Sequence, residues 1–284
     1  MSQSRSEAIL VWILQAMALL AATVVLLIVL FLIGETLPIL RTIGINRFFN
    51  DPDWHPTSAE FNLLPMLWGT LFVTAGSVLI ATPLGIASAI FCHYYAPVAI
   101  ALLYRRLIEL LAGIPSVVYG FWGLVVLVPI IGRIHPPGAS LLTGILILTL
   151  MILPTIALLA DASLANVPPE YLRGCAAVGL GRWATVRGVV FPAASSGLIT
   201  GVILGTGRAI GETMAVLMVC GNVVQIPTSV FEPVRTLTAN IALEMAYAVG
   251  NHRAALFVSG LVLMAMVVAL VIVAELLNKG QIYD

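Results

Sequence analysis

The chain has 284 residues, 61% hydrophobic and only 9% charged, with 13 Lys and Arg balancing 13 Asp and Glu. Soluble domains carry about a quarter charged residues, so the composition excludes an ordinary soluble enzyme and points to a polytopic membrane protein. With zero net charge, nothing suggests nucleic-acid binding through phosphate neutralisation.

Six membrane spans follow in chain order. The first apolar run, 9–34, exceeds the roughly 7–15 residues of a signal core and suffices for a helix of about 20 residues that stays in the chain. The polar segment 35–62 cannot cross a bilayer. A second span covers 63–91, where Pro83 and Gly85 are tolerable because neighbouring helices satisfy the freed backbone groups. The amphipathic stretch 93–113 carries Arg105 and Arg106 and is expected at an interface, with Glu109 as their partner. Further spans are expected at 114–132, 140–160, 190–220 and 253–277, separated by a turn at 132–140 and loops at 161–188 and 221–252; NKGQIYD ends the chain. The chain thus divides into an N-terminal transmembrane helix with its polar extracytoplasmic loop, 1–62, and a core, 63–284.

Lys and Arg favour the inside of a membrane. With the N-terminus inside, Arg5, Arg105, Arg106, Arg173, Arg182, Arg187 and Lys279 lie inside, against Arg41, Arg47, Arg133, Arg235 and Arg253 outside. Both termini are therefore expected in the cytoplasm. Trp12, Trp54, Trp68, Trp122 and Trp183 fall mostly near span ends, where interfacial anchors sit. Cys92, Cys175 and Cys220 are far apart and read as small buried residues; His55, His93, His135 and His252 are scattered, so no metal-ligand spacing exists. No G-x-x-x-x-G-K-[ST] motif occurs, so the chain is not expected to bind ATP itself. It also shows no catalytic constellation, and no evident internal repeat of the kind that builds secondary transporters.

The loop after the fourth span has more pattern than a plain connection. VPPEYLRG offers a proline-led helix start, CAAV runs into Gly179 as a helix end, and GRWATVRGVVFP returns to the membrane at Pro192. Two short helices around a glycine break make a compact knob on the cytoplasmic face. Its spacing resembles the cytoplasmic docking loop of bacterial ABC-importer permeases, with Gly179 and Pro192 at the positions of that loop's Gly and Pro. The loop's Glu-Ala-Ala then falls on Arg173, Gly174 and Cys175, so Arg replaces the Glu, and Glu170 lies about one helical turn earlier.

Longer stretches carry the resemblance further. LIELLAGIPSVVYGFWGL (107–124) and GVILGTGRAIGETMAVLMVCGN (201–222) resemble the PstC-type permease family of phosphate ABC importers. LLPMLWGT (63–70), TPLGIASAIF (82–91) and MILPTIALLADASLANVP (151–168) extend the likeness over about 60–277. The resemblance implies an all-α integral membrane protein with the six-helix, MetI-like permease fold. It also implies a heterodimer with a PstA-type permease, a PstB-type ATPase dimer that binds ATP and Mg²⁺, and a PstS-type phosphate-binding protein. Docking of that ATPase would use the loop at about 165–188, with Glu170, Arg173, Cys175, Ala176 and Gly179. Another oxyanion, sulfate or a phosphonate, and an ATPase-independent transporter or sensor are the alternatives.

In the stretch GTGRAIGETMAV, residues 205–216, Arg208 and Glu212 stand four residues apart, on one face if the helix is continuous. Charges at mid-span cost roughly 2.5–3.5 kcal/mol each on insertion scales. Two roles fit: a self-neutralised structural pair, or a solute path in which the guanidinium fork meets an oxyanion and the Glu keeps binding weak enough for release. Thr206 and Thr213 are possible hydroxyl donors to the solute, though either can instead bond back to its own helix. Ser116 and Tyr119 follow Pro115 at a helix start, where freed backbone groups could meet an anion; a plain proline-initiated span with an inward aromatic fits equally. Gly197, Gly201 and Gly205, with the second pair Gly207 and Gly211, permit close helix approach, as a dimer or gate surface or as static packing.

Overall fold

The computed structural model describes residues 5–279, without the side chains of residues 5, 6, 8 and 277–279. NKGQIYD and the Arg5 and Lys279 side chains used to orient the chain therefore lie largely outside the described part. Six helices are long and apolar enough to cross a membrane. The first, α1 (Arg5–Thr42), is followed by a two-residue hairpin, β1 (Trp54–His55) and β2 (Glu60–Phe61), paired antiparallel as Trp54↔Phe61 and His55↔Glu60. Then come α2 (Leu64–Tyr95), the surface helix α3 (Val98–Ala112), α4 (Ser116–Ile134) and α5 (Leu141–Ala165). The short α6 (Pro169–Ala177) precedes α7 (Arg182–Ile210), then α8 (Met214–Val219), α9 (Leu237–Glu244) and α10 (Gly250–Lys279).

The central element is α5, whose apolar window is 67% buried within the chain, against 0% for α1. Ile147, Leu148, Met151, Ile152 and Ile156 are almost wholly covered. Small residues let the neighbours close on them. A Cβ built on Gly85 of α2 would lie 2.9 Å from Ile156 Cγ2, and one on Gly123 of α4 would lie 2.7 Å from Ile147 Cδ1. On α7 the stripe Gly197, Gly201 and Gly205 meets Ser163, Leu159 and Ile156 of α5, with Ile156 Cγ1 2.8 Å from a Cβ on Gly205. Static packing within the chain therefore uses this stripe, not a dimer surface. Gly207 and Gly211, by contrast, meet no atom of another element closer than the 3.9 Å of Leu270 Cδ2. Gly205→Leu should overpack the α5–α7 seam and destabilise the chain by about 1–3 kcal/mol, read as a lower melting temperature in detergent, whereas Gly207→Ala should melt like wild type.

At one end of the bundle, the hairpin end, Phe48, Trp54 and Phe61 pack with Leu63, Met66 of α2, Leu237 of α9 and Ala255 and Leu256 of α10. Asp51 fixes the hairpin: it takes an ion pair from Arg47 at 3.0 Å and the Phe61 N–H at 2.9 Å. Burial pushes its carboxyl up, but those hydrogen bonds and the Arg47 charge together hold it below its usual range. Trp54 is thus a buried residue, not an interfacial anchor. Helix α1 leans on α10 through the edge-on pair Phe31 and Phe257, 5.6 Å apart, and buries Thr36 and Ile39 near its C-terminal end, while its N-terminal half faces outward.

At the opposite end, beside the loop at 161–188, α2, α5 and α7 meet through Ala89, Ala160, Leu164, Val190 and Ala194. Three spans contain single π-wound turns, Phe91–Tyr95, Gly123–Leu127 and Val186–Val190. The expected span boundaries shift accordingly. Ser140 caps α5 by accepting the Thr143 N–H, and the expected loop 221–252 contains α9 and the start of α10.

Candidate functional site

The expected single span at 190–220 is broken. Helix α7 stops at Ile210, residues 211–213 are non-helical, and α8 resumes at Met214. Gly211 weakens the helix, and Glu212 supplies the alternative bonding that holds the break. Its Oε1 accepts the Ala215 N–H at 3.0 Å, satisfying one of the open donors of α8, and its carbonyl accepts the Thr238 hydroxyl at 2.7 Å. Discontinuous helices with unwound backbone are a recurrent device at transport sites near the bilayer midplane.

The break separates the two charges. Among the described residues no ion pair links Arg208 to Glu212, and the one-face arrangement expected from their spacing does not form. Arg208 lies in the last turn of α7, and its Nη1 donates to Thr155 Oγ1 of α5 at 3.0 Å. Its contact is thus a neutral hydroxyl, and the residue is partly buried. Thr155 was not legible in advance, although the adjacent Pro154 is the proline inside α5.

The other sequence candidates fall in different places. Tyr119 is buried beside Gly120 on α4 and donates to the Leu111 carbonyl at 2.9 Å, tying α3 to α4. Gly120 abuts Ala215 of α8, just past the break, with Ala215 Cα 2.8 Å from a built Cβ. Ser116 starts α4, three residues before Tyr119. Thr213 donates weakly to the Gly211 carbonyl at 3.3 Å, and Thr206 bonds back to Val202 at 2.7 Å.

The 161–192 segment folds as its pattern suggests. Pro169 starts α6, and Gly179 at φ +73° ends it, with Leu180 N–H donating to Cys175 O and Gly179 N–H to Ala176 O. This six-to-one and five-to-two pair is the Schellman closure. Glu170, Arg173, Ala176 and Gly179 face outward, but Cys175 is buried and supports α6 from beneath. Tyr171, Val178, Leu180 and Trp183, which motif spacing did not single out as docking residues, add an exposed apolar surface to the knob.

Two polar clusters lie outside these positions. Arg105 hydrogen-bonds not to the local Glu109 but to Asp161, whose two oxygens its Nε and Nη2 grip at 2.8 and 2.9 Å. At the hairpin end, Glu244 of α9 accepts from Arg235 at 2.7 Å and Trp54 Nε1 at 2.9 Å, and lies 2.8 Å from His252 Nε2.

Residues 81–282 match the family model of the binding-protein-dependent transport system inner membrane component. The chain belongs to that family. Its fold is the six-helix permease fold, and it is a multi-pass inner-membrane transport component. A Bacillus subtilis relative described as "Probable ABC transporter permease protein YqgH" is 40% identical over 94% of this chain and 88% of that one. A Mesorhizobium japonicum "Phosphate transport system permease protein PstC" is 37% identical over 83% and 79%. Among solved structures, a chain of a bacterial alginate ABC transporter superposes with a TM-score of 0.65 at 16% identity, covering 93% of this chain and 92% of that chain. A chain of the inward-facing MetNI methionine transporter gives 0.63 at 19% identity, over 77% and 95%. At such identities these structures share the fold alone.

Proposed function

We propose that the chain is the PstC-type permease subunit of an ATP-driven importer that moves inorganic phosphate across the inner membrane. The observation that carries this reading is Arg208, a guanidinium held by the neutral Thr155 hydroxyl beside a helix break and free of the Glu212 carboxylate. A fixed charge with no ion pair among the described residues, inside a span, suits a transient anionic solute. The names of the relatives supply phosphate as that anion.

The docking-loop end faces the cytoplasm in this proposal, as do both termini, and residues 1–62 form a helix and outer loop added to the permease core of 63–284. The partners are a PstA-type permease, a PstB-type ATPase dimer that holds ATP and Mg²⁺, and a PstS-type binding protein; membrane lipid surrounds the spans. Closure of the ATPase pair pushes the loop at 165–188, the helices open the path outward, and phosphate passes Arg208 before hydrolysis resets the pair. No bond in the solute changes.

Uptake of radiolabelled phosphate into vesicles holding the whole complex tests this, with sulfate and a phosphonate as competitors. Uptake should require ATP and an active ATPase and should resist both competitors. Inhibition by sulfate would assign a broader oxyanion substrate, and uptake without the ATPase would overturn the importer reading. Arg173 stands exposed where the related loop carries Glu, so Arg173→Glu should leave co-purification of the ATPase within about twofold of wild type, the scale of an exposed charge contact. A clear loss would mean that the Arg has a partner of its own.

A further inference from the structure

We infer that surface helix α3 is a lever that carries movement of the docking loop to the transport path, with Asp161 as its attachment point. The inference rests on the proposed docking of the ATPase at residues 165–188.

Asp161 lies in the last turn of α5, four residues before the helix ends at Ala165 and the loop begins. A carboxylate there opposes the helix dipole unless cations face it. Two basic groups do so. Arg105 of α3 donates through both arms of its fork, Nε to Oδ2 at 2.8 Å and Nη2 to Oδ1 at 2.9 Å. His93, in the π-wound turn that ends α2, places Nδ1 3.3 Å from Oδ1. One carboxylate therefore joins α2, α3 and the foot of the docking loop. The side chains of Arg105, Asp161 and His93 remain 37%, 20% and 27% exposed, so solvent screens their charges and the cluster adds little stability. A bidentate fork nevertheless fixes direction, because the guanidinium and carboxylate planes must align.

From α3 a contact chain leads inward. The far end of α3 offers the Leu111 carbonyl to the Tyr119 hydroxyl at 2.9 Å. Tyr119 adjoins Gly120, and Gly120 abuts Ala215 of α8. The Ala215 N–H is the group that Glu212 caps across the break from Arg208. The opposite face of α3 is apolar and open, with Leu103, Leu107 and Leu110 at 61%, 49% and 69% exposure. That face suits a helix lying in the membrane surface, held on its inner side by Arg105, Leu111 and the buried Ile108, and able to tilt about that seam.

The test compares Asp161→Asn, Arg105→Gln, Arg105→Lys and the exchange Arg105→Asp with Asp161→Arg, in the whole complex in vesicles, reading phosphate uptake per ATP hydrolysed. The Asn and Gln variants should assemble and hydrolyse ATP, while uptake per ATP falls about tenfold, within the usual range of coupling between sites. Arg105→Lys keeps the charge without the fork and should fall between them and wild type; the exchange should restore most of the ratio. Unchanged uptake per ATP in the single variants would overturn the lever. So would failure of every variant, the exchange included, to assemble, because the cluster would then be purely structural. Crosslinking of Val178→Cys to the ATPase separates the two readings. Without a crosslink the docking reading fails; with a crosslink and unchanged coupling, the lever alone fails.

Discussion

Arg208→Gln is expected to assemble normally and to lose phosphate uptake by about 100-fold or more, since two charge-assisted hydrogen bonds to an oxyanion contribute about 1.5–3 kcal/mol each. Arg208→Lys should retain part of the activity, because it keeps a charge but not the paired donors. The stability effect should have the opposite sign. Arg208 bonds a neutral hydroxyl, so removing its charge relieves the penalty for a cation within a span, roughly 2.5–3.5 kcal/mol on insertion scales. A variant that melts no lower than wild type yet does not transport places the charge in the path. Normal uptake would make Arg208 structural and remove the main support for an anion route here. Glu212→Gln gives the complementary result: its amide oxygen can still accept the Ala215 N–H, so the break should persist and any change in uptake reports the carboxylate charge.

The six crossings were legible because each needs about 20 apolar residues, a requirement of the bilayer and not of packing detail. The fold of the loop at 161–192 was legible for a different reason: proline-led starts and a glycine at positive φ are local rules, and Pro169 and Gly179 obey them. The break at 211–213 was not. Gly211 is one of many glycines in the chain, and an uninterrupted apolar run from 214 to 220 looks like more of the same helix. What stops α7 there is the bonding of Glu212 to Ala215 and Thr238, and the latter comes from an element 26 residues away. The pairing of Arg105 failed similarly. Spacing favoured Glu109 at i+4, but an i,i+4 pair on a surface helix contributes only about 0.2–0.5 kcal/mol, and the bidentate site on Asp161, 56 residues away, prevails. Trp54 looked like an interfacial anchor because its acceptor, Glu244, is 190 residues distant.

That distant contact leads to the largest expected stability effect. Glu244 is 7% exposed and receives Arg235, Trp54 and His252 from three different segments. Arg235 is also committed to Asn222 O at 2.9 Å and Asn240 Oδ1 at 3.1 Å, so it cannot swing out to water without breaking the segment that carries it. Glu244→Ala should therefore leave a poorly solvated cation and an orphaned indole N–H, and destabilise the hairpin end by about 3–5 kcal/mol. The readout is the melting temperature of the detergent-solubilised complex, followed in parallel by Trp54 fluorescence. Glu244→Gln should cost less, because the side chain fits and still accepts one donor. The double replacement Arg235→Met with Glu244→Leu should melt higher than Glu244→Ala, since no charge is then stranded. If the double variant melts lower than the single one, the arginine is stabilised chiefly by Asn222 and Asn240, and the carboxylate is not the keystone of this end. If Glu244→Ala itself melts like wild type, the cluster is solvated enough for water to replace the carboxylate, and the hairpin is held by its apolar packing and by Asp51.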